Sequence, residues 1–594
     1  MNSLQKAREL LKTHFHFNQF RPGQEQAIQS ILNNQDTFLV MPTGGGKSLC
    51  YQLPSLIFPN PTLVISPLIS LMKDQVDKLQ SLGIKASFIN SSLTDFEVKE
   101  RIRAMQKSKF DLVYIAPERF YSEEFNRKLF DLDIAMVAID EAHCVSTWGH
   151  DFRPSYLKIK QIIKKFKKRP IVSAFTATAT PFVRKDVVQE LEMQNAKILV
   201  TGFDRPNLSY QTFNTYNDWQ KIENIVGYLK SKNGIPGIIY AGTRKNVENI
   251  SKKLNQWRIP NLPYHAGMDD EARKIHQEKF MDEKVPVVIA TNAFGMGIDK
   301  KNLRFVIHYN MPGSLEAYYQ EAGRAGRDGN TADCLLFYNA SDRRLQEFFI
   351  ESSHPSQAVI ETVYEFLDNL NQQEILMTYE EINSKISCSS GVFGVGASLK
   401  ILESHGFLTR LAGKEHSAFI KLSVPKEMIF NLVSSRAAIQ RYFLESLLNL
   451  FPNKLFKGAE IELSHLAKTA NLSGEQITRV LRILSDKGIL EYTPPFRGYG
   501  LKMVKKNIPK EKLGIDYEKI EKNLQHDLQK LTIMENYVFS EDCKRKYILD
   551  YFGDEKKIEK CNNCDACGVQ KFTEKAKDFS SAFQEDSEEE VIHF

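Results

Sequence analysis

The sequence lacks any run of about eighteen apolar residues, and its first twenty residues lack the continuous apolar stretch of a secretory signal. We therefore expect a cytoplasmic protein without a membrane anchor. Cysteine is scarce too, at 8 of 594 residues, which argues against a disulfide framework because the cytosol keeps thiols reduced. Four cysteines stand alone and are predicted to be buried apolar side chains: Cys50, Cys144, Cys334 and Cys388.

A strong charge of one sign is also missing. The 79 basic residues exceed the 73 acidic ones by six, a balance that permits nucleic acid as a partner without requiring it. The acidic stretch "QEDSEEE" at 584–590 is predicted to belong to a solvated tail. A chain of 594 residues is too long for one core and should divide into about four domains.

The stretch "DTFLVMPTGGGKSLCYQLP" predicts a buried strand, a glycine loop and a helix. Backbone amides of such a loop, here formed by Thr43, Gly44, Gly45 and Gly46, point at phosphate oxygens. Lys47 can then reach the terminal phosphates, and the Ser48 hydroxyl can bind Mg²⁺. The general pattern has a glycine where this chain has Met41.

A second apolar strand ends in Asp140 and Glu141 within "IAMVAIDEAH". A carboxylate at a strand end beside a phosphate loop suits a contact to Mg²⁺, and the following carboxylate can activate the attacking water. The two motifs together predict hydrolysis of a nucleoside triphosphate.

These motifs, with "SAFTATAT" (173–180) and "QEAGRAGRDG" (320–329), resemble superfamily 2 helicases. "FNQFRPGQEQAI" (17–28), "DEAHCVSTWGHDFRPSY" (140–156) and "FDRPNL" (203–208) are more specifically similar to the RecQ DNA helicases. The resemblance covers residues 1 to about 345 in the family's motif order, and the family's phosphate loop also lacks the early glycine.

The resemblance implies further site residues. Phe17, Arg21 and Gln24 match the motif that recognises adenine. Arg327, with Arg324 beside it, matches the arginines that reach the γ-phosphate from the second lobe. A motif that bridges nucleotide and DNA is matched by Thr291, Gly295, Gly297 and Asp299.

Aromatic residues follow the DEAH carboxylates directly. Trp148 and Phe152 offer faces on which unstacked bases can stack, and His150 and Arg153 can contact phosphate. In the RecQ family the matching loop couples binding of single-stranded DNA to hydrolysis. A plain core role for Trp148 is the alternative.

From about residue 355 the pattern changes to helices with short turns, and it predicts one or two winged-helix units across 355–508. A generic helical scaffold is the alternative. A hairpin is predicted after Lys487, with Phe496 and Tyr499 at its tip as DNA-contacting residues that could separate strands.

Cys561, Cys564 and Cys567 follow Cys543 with the spacing C-x17-C-x2-C-x2-C. Four thiolates suit a tetrahedral, structural Zn²⁺ site; thiol redox chemistry and an iron–sulfur cluster are alternatives. The spacing is similar to the zinc module of RecQ proteins, but here about 200 residues separate it from the second lobe. A Cys561→Ser change is expected to lower stability and DNA binding before it alters the chemistry.

The predicted fold class is α/β. It comprises RecA-like parallel-sheet helicase lobes at 1–205 and 206–345, a winged-helix-like DNA-binding region at 346–510, a C-terminal zinc-binding helical module with four cysteine ligands at 511–572 and an acidic flexible tail at 573–594.

The resemblance implies an ATP- and Mg²⁺-dependent 3′–5′ helicase, with a structural Zn²⁺, that acts on single-stranded, duplex or branched DNA in recombination and repair. We expect a monomer associated with the nucleoid, and a single-stranded-DNA-binding protein or another repair factor is an expected partner. An RNA-directed helicase and a non-enzymatic winged-helix protein are the alternatives.

Overall fold

The structure is a computed structural model that describes residues 3–568, except positions 150, 233, 296–299, 373, 388–390, 412–416, 436, 452–453 and 494–499. The chain divides into two compact units. One unit consists of residues 1–348 together with the chain from residue 525 onward, and the other of residues 349–524. The chain therefore leaves the first unit after the second helicase lobe and later returns to it.

Lobe 1 is built on a parallel sheet whose short strands are mostly buried and alternate with helices, as parallel sheets require. The strands are β1 (Thr37–Val40), β2 (Thr62–Ile65), β3 (Ala86–Ile89), β4 (Leu112–Ile115), β5 (Met136–Ile139), β6 (Ile171–Thr176) and β7 (Lys197–Val200). Their order is β3-β4-β2-β5-β6-β1-β7. Strands β1 and β5 both pair with β6, so their carboxyl ends, which carry the phosphate loop and the DEAH motif, meet at one edge of the sheet.

The helices of lobe 1 are α1 (Ser3–Thr13), α2 (Gln24–Leu32), α3 (Leu49–Ser55), α4 (Ile69–Ser81), α5 (Asp95–Gln106), α6 (Glu123–Phe130), α7 (Leu157–Lys165) and α8 (Pro181–Glu190). Helix α3 begins directly after Ser48, so the phosphate loop lies between a strand end and a helix start. The buried side chains of α1 to α3 join the core of the β1 face.

Lobe 2 contains a second parallel sheet. Its strands are β8 (Leu208–Asn214), β9 (Gly237–Tyr240), β10 (Asn261–Tyr264), β11 (Val287–Ala290), β12 (Phe305–His308) and β13 (Ala332–Tyr338). Their order is β10-β11-β9-β12-β13-β8. The helices are α9 (Asp218–Ser231), α10 (Arg244–Gln256), α11 (Asp270–Met281), α12 (Leu315–Ala322) and α13 (Ala340–Ser353). The two parallel-sheet lobes agree with the predicted RecA-like fold.

The second unit contains two similar sets of helices and strands. The first set is α14 (Gln357–Asn369), β14 (Glu374–Ile375), α15 (Tyr379–Ile386), α16 (Gly391–Ser404) and β15 (Leu408–Arg410). The second is β16 (Ser417–Leu422), α17 (Lys426–Leu432), α18 (Ala438–Leu450), β17 (Ala459–Glu462), α19 (Leu463–Ala470), α20 (Gly474–Asp486) and β18 (Leu490–Thr493). Strand β19 (Leu501–Met503) follows.

The two sets form separate antiparallel sheets with separate cores. One sheet has the order β14-β19-β15 and the other β17-β16-β18. Because β19 returns to pair with β15, the second set is inserted between two neighbouring strands of the first. The sequence predicts one or two winged-helix units; the structure has two sets of helices and strands, one nested within the other.

The predicted hairpin after Lys487 is wrong. Strand β18 pairs with β16, whereas β19 pairs with β14 and β15. The two strands alternate in polarity as hairpin strands do, but each finds its partner elsewhere in the chain. Phe496 and Tyr499 lie outside the described residues, and their assignment to DNA contact stays a prediction.

Helix α21 (Tyr517–Phe539) begins in the second unit, and its residues from 525 onward belong to the first. Helix α22 (Lys544–Tyr551) follows and leads to the cysteine cluster. None of the helices in the described residues is both long enough and apolar enough to cross a membrane.

Candidate active site and zinc site

A cleft of about 590 Å³ lies in the first unit and is lined by residues of both lobes. The lining residues are Phe17, Gln19, Arg21, Gln24, Gly44, Gly46, Lys47, Ser48, Leu49, Leu71, Asp74, Gln75, Lys78, Asp140, Glu141, Lys301, Arg327 and Asp328. Ten of the residues predicted from the motifs are among them. The cleft therefore brings together segments that are far apart in the sequence.

The phosphate loop depends on its glycines. Gly44 and Gly46 have φ angles of 80° and 89°, a left-handed conformation that a side chain disfavours. A Cβ atom on Gly45 would lie 2.5 Å from Met41 Cγ, so the loop packs directly on the residue that replaces the usual early glycine. The Met41 carbonyl also accepts a hydrogen bond of 3.3 Å from Lys47 Nζ. Thr43 and Gly45 complete the loop without lining the cleft.

Lys47, Asp140 and Glu141 form an electrostatically strained group. Burial raises the pKa of Asp140 to about 7, helped by the neighbouring Glu141 carboxylate and opposed by Lys47. Burial also lowers the pKa of Lys47, although both carboxylates oppose this shift. Charged groups in such a place are favoured when a ligand of opposite charge binds. The group is therefore arranged for a ligand that the protein alone does not supply.

Glu141 carries two signs of a functional position. Its φ and ψ angles of 47° and 49° are left-handed, which is uncommon for a residue with a side chain. Its Oε2 atom is buried without a hydrogen bond in the described residues and lies 3.4 Å from His143 Nδ1. His143 Nδ1 is also 2.8 Å from the Thr176 hydroxyl, which links the DEAH motif to "SAFTATAT".

The donor set at the strand end suits Mg²⁺. Asp140 is 7% exposed, and its Oδ1 accepts a hydrogen bond of 3.0 Å from the Glu141 amide. Ser48 lines the same cleft. A buried carboxylate and a hydroxyl are hard oxygen ligands of the kind that Mg²⁺ prefers. Asp140 and Ser48 would hold the ion.

The residues matched to adenine recognition all line the cleft. Phe17 is 51% exposed. Gln24 is buried and donates to the carbonyls of Gly45 and Gly46 at 3.3 and 3.1 Å, while its oxygen accepts from the Arg21 amide at 2.8 Å. Arg21 donates to the Gly44 carbonyl at 2.5 Å. Hydrogen bonds therefore connect Arg21 and Gln24 to the backbone of the phosphate loop.

The two predicted arginines have different positions. Arg327 lines the cleft from lobe 2, and a Cβ atom on Gly44 would lie 3.3 Å from its Cγ. Arg324 is buried and donates to the Gly295 carbonyl within lobe 2. Of the pair, Arg327 is thus the one that faces the phosphate loop. Gly297 and Asp299 lie outside the described residues.

Several cleft residues were missed by the sequence analysis. Asp74, Gln75 and Lys78 come from α4, and Lys301 and Asp328 from lobe 2. Asp328 lies within the quoted "QEAGRAGRDG", and Asp74 and Gln75 end the stretch "SPLISLMKDQ", so their segments are family motifs although these side chains were not assigned to the site. Lys78 and Lys301 lie just beyond such motifs.

A more consequential omission is Arg205. It lies in the quoted "FDRPNL" and contacts the carbonyls of the phosphate loop and of the arginine segment. The motif identified the segment but not the role of this side chain.

The aromatic loop is held by the first unit. The Trp148 ring packs edge to face against Phe182 and His526, with centroid distances of 5.7 and 4.8 Å. Lys530 of α21 donates to the Trp148 carbonyl at 2.7 Å. Arg153 donates to Asp151 at 3.1 Å and to the Pro67 carbonyl at 3.0 Å.

Trp148, Phe152 and Arg153 are all partly exposed. Their role in DNA binding stays a prediction, and His150 lies outside the described residues. The hydroxyls of Thr176 and Thr178 are buried and engaged within the protein.

The four predicted zinc ligands come together. The Sγ atoms of Cys543, Cys561, Cys564 and Cys567 all lie within 4.8 Å of one another. The Cys561 and Cys567 sulfurs are 3.9 Å apart, close to the roughly 3.8 Å edge of a tetrahedron with Zn–S bonds of about 2.3 Å. Burial raises the pKa values of the Cys561 and Cys564 thiols, and a bound cation would favour their thiolate forms. These residues would hold a structural Zn²⁺.

The cysteine cluster packs on lobe 2. Cys564 forms an isolated parallel bridge with Tyr210 of β8. Asp565 accepts hydrogen bonds from the amide and hydroxyl of Thr212 at 2.8 and 2.9 Å. The long sequence separation between lobe 2 and the cysteines is therefore not a separation in space.

Family models match three parts of the chain. The DEAD/DEAH box helicase model matches residues 21–186, the helicase conserved C-terminal domain model matches residues 220–329, and the RecQ zinc-binding model matches residues 501–568. The first covers β1 to β6 of lobe 1, the second covers β9 to β12 of lobe 2, and the third covers α22 and the four cysteines.

Curated relatives agree with these matches. The "ATP-dependent DNA helicase RecQ" of Bacillus subtilis is 45% identical over 351 residues, which are 59% of this chain and 59% of that protein. The protein of the same name from Haemophilus influenzae is 43% identical over 356 residues, or 60% and 57% of the two chains. These alignments span less than two thirds of the relatives' length.

A third relative is covered more fully. The "Probable ATP-dependent DNA helicase RecS" of Bacillus subtilis is 38% identical over 371 residues, which are 62% of this chain and 74% of that protein. Together with the zinc-binding match, the two-lobed cleft and the four clustered cysteines, this similarity places the chain in the RecQ family of superfamily 2 helicases.

Proposed function

We propose that the protein is an ATP- and Mg²⁺-dependent DNA helicase that moves 3′ to 5′ along single-stranded DNA and unwinds duplex or branched DNA in recombination and repair. The observation that supports this best is the single cleft in which Lys47, Asp140 and Glu141 of lobe 1 face Arg327 of lobe 2. An ATPase site divided between two lobes can turn hydrolysis into relative motion of the lobes.

Each residue has a chemical role in this proposal. The loop amides and Lys47 bind the β- and γ-phosphates. Glu141 orients and deprotonates the attacking water, and its orphaned oxygen is the atom available for that contact. Arg327 stabilises the charge that develops on the transferring phosphoryl oxygens. Mg²⁺, when held by Asp140 and Ser48, would neutralise charge between the β- and γ-phosphates.

A chain of hydrogen bonds supports coupling between the lobes. His143 contacts Thr176, and two residues later Thr178 accepts a hydrogen bond of 3.1 Å from Gln320 of α12 in lobe 2. The aromatic loop continues directly from His143 toward Trp148. DNA bound at this loop could therefore alter the position of Glu141 through covalently adjacent residues.

The deciding experiment is ATP hydrolysis measured alone, with single-stranded DNA and with RNA of the same length. We expect DNA to stimulate hydrolysis much more than RNA, and a fluorescent forked duplex to separate only with ATP and Mg²⁺. Stimulation mainly by RNA would favour the RNA-directed alternative. Absence of ATPase activity in every condition would favour a non-enzymatic DNA-binding protein.

Three further predictions accompany this function: a monomeric state, a cytoplasmic, nucleoid-associated location, and a single-stranded-DNA-binding protein or other repair factor as a partner. The proposed DNA substrate supports the nucleoid-associated location. It also supports the partner, because a single-stranded-DNA-binding protein covers the strand along which the helicase would move.

A further inference from the structure

The linker between the lobes, residues 202–207, has almost every polar side chain engaged. Asp204 contacts the zinc module, Arg205 contacts both lobes, and Asn207 donates to the Gly326 and Asn330 carbonyls at 2.9 and 2.8 Å. A segment that serves as a hinge is usually held more loosely. These hydrogen bonds hold the linker more firmly than a simple hinge requires, which indicates that the linker has a further function.

On one side the linker is bound by the zinc module. Arg545 of α22 donates through Nε and Nη2 to both oxygens of Asp204, the second bond being 2.6 Å. Lys556 adds a contact of 2.6 Å to the same carboxylate. Burial alone would raise the pKa of Asp204, but hydrogen bonds from these two cations lower it. The two hydrogen bonds from the Arg545 guanidinium fix the orientation of the Asp204 carboxylate and also compensate its charge.

Phe203 is held by the same module. Its ring stacks on Phe552 with a centroid distance of 4.6 Å and an interplanar angle of 11°. Its amide donates to Asp554 Oδ2 at 2.5 Å, and its carbonyl accepts from the Tyr319 hydroxyl of α12 at 2.9 Å. Arg184 of lobe 1 donates to the Phe552 carbonyl. The end of α22 thus touches lobe 1, lobe 2 and the linker.

On its other side the linker contacts the active site. Arg205 Nη1 donates to the Gly323 carbonyl at 2.9 Å and reaches the Thr43 carbonyl of the phosphate loop at 3.4 Å. Its Nη2 donates to the Ala325 and Gly326 carbonyls at 2.8 and 3.2 Å. Those carbonyls immediately precede Arg327. One guanidinium therefore joins the phosphate loop to the turn that presents the arginine facing the phosphates.

We propose that the zinc module positions the catalytic arginine through the linker: Arg545, Phe552 and Asp554 fix Phe203 and Asp204 so that Arg205 holds the turn bearing Arg327 against the phosphate loop. Cys543, which directly precedes α22, would hold the zinc and so fix the start of this helix, while Arg545 of the same helix acts on the active site without touching the nucleotide. Arg205 and Arg545 are positioning residues in this scheme. The inference rests on the proposed ATPase function.

The test compares Arg545→Gln with Lys546→Gln. Both residues lie on α22, but Lys546 pairs with Asp550 of the same helix rather than with the linker. Zinc content and thermal unfolding first establish that each variant is folded. Hydrogen exchange of the linker amides, Phe203 above all, and steady-state ATPase kinetics are then measured on the full chain.

We expect Arg545→Gln to speed exchange of the linker amides and to lower kcat on the order of tenfold, the size of a typical coupling between sites. Affinity for a non-hydrolysable ATP analogue should change less than twofold, because the loop, Lys47 and Phe17 are unaltered. Arg205→Lys keeps the charge but loses the fork, so it should lower kcat with the same unchanged affinity. Lys546→Gln should match the wild type in all measurements.

Two results would overturn the inference. We call the contacts of Arg545, Phe552 and Asp554 with the linker the linker clamp. If the linker amides exchange equally fast in Arg545→Gln and Lys546→Gln, the clamp is refuted. If they exchange faster in Arg545→Gln while kcat is unchanged, the effect of the clamp on catalysis is refuted. If Arg545→Gln does not fold, Lys556→Gln tests the same carboxylate from a side chain that is 56% exposed. Should the wild type lack ATPase activity, the proposed function fails, while linker exchange still reports on the clamp.

Discussion

The nucleotide cleft and the linker clamp both bring charged residues together between the lobes, but they satisfy those charges differently. In the cleft, Asp140 has a raised pKa and Glu141 has an orphaned oxygen. In the clamp, Asp204 accepts from Arg545 and Lys556 and has a lowered pKa. Unsatisfied buried charge indicates a site that awaits a ligand, whereas satisfied charge fixes a conformation.

The strongest way to test the cleft side of this comparison is Glu141→Gln. The amide keeps the shape of the side chain but cannot take a proton from water, so kcat should fall by about 10²–10⁴-fold while ATP binding persists. Glu124→Gln on the surface of lobe 1 is the matched control and should leave kcat unchanged. A Glu141→Gln enzyme within tenfold of the wild type would remove Glu141 from the role of base.

On the zinc side, Cys564→Ser should cause the largest loss of stability. Cys564 is fully buried and bridges to β8, so losing the metal also loosens the packing on lobe 2. We expect unfolding to be easier by more than about 4 kcal/mol, with zinc absent by elemental analysis. Cys334→Ala removes a lone buried thiol and should keep its zinc. A well-folded, zinc-free Cys564→Ser protein would contradict a structural role for the metal.

Asp140→Asn should separate stability from activity. In magnesium-free buffer the folded wild type prefers a protonated Asp140, so its stability should fall as pH rises from about 4 to about 7. The asparagine cannot ionise, so the variant should be more stable at neutral pH by up to about 4 kcal/mol, yet inactive. Denaturant unfolding at several pH values measures this, with Asp131→Asn as an exposed control. A less stable variant would mean that the ionised carboxylate is well compensated.

The smallest expected effect concerns the aromatic loop that contains Trp148. Trp148→Ala should keep basal ATPase activity but reduce its stimulation by single-stranded DNA several-fold, since one base loses about 1–3 kcal/mol of stacking. Trp219, which is 52% exposed on lobe 2, provides a matched Trp→Ala control. Full stimulation of Trp148→Ala would support a packing role against Phe182 and His526.

The phosphate loop and the DEAH strand end could be predicted from the sequence because each is a short segment whose backbone brings its own residues together. The cysteine cluster could be predicted because three of its ligands lie within seven residues and the spacing to Cys543 is similar to that of a known zinc module. Gly44, Gly46, Lys47 and Ser48 line the cleft from one stretch of five residues, and a strand end fixes where Asp140 lies. The helices of both winged-helix-like units were predictable from periodicity for the same reason. Strand pairing was not, because alternation predicts a strand without naming its partner, and so β18 and β19 were wrongly joined.

The sequence by itself determined the family, the local shape of the phosphate loop and the identity of the zinc ligands. Only the tertiary structure decided that Arg327 rather than Arg324 faces the loop, that one winged-helix-like set lies within another, and that Arg545 meets Asp204 across 341 residues. The physical reason is that a contact between distant segments depends on where the chain returns. Here residues 349–524 form a separate unit, and the chain from residue 525 onward belongs to the first unit again. Helix α22 and the neighbouring cysteines therefore pack on lobes that precede them in the sequence.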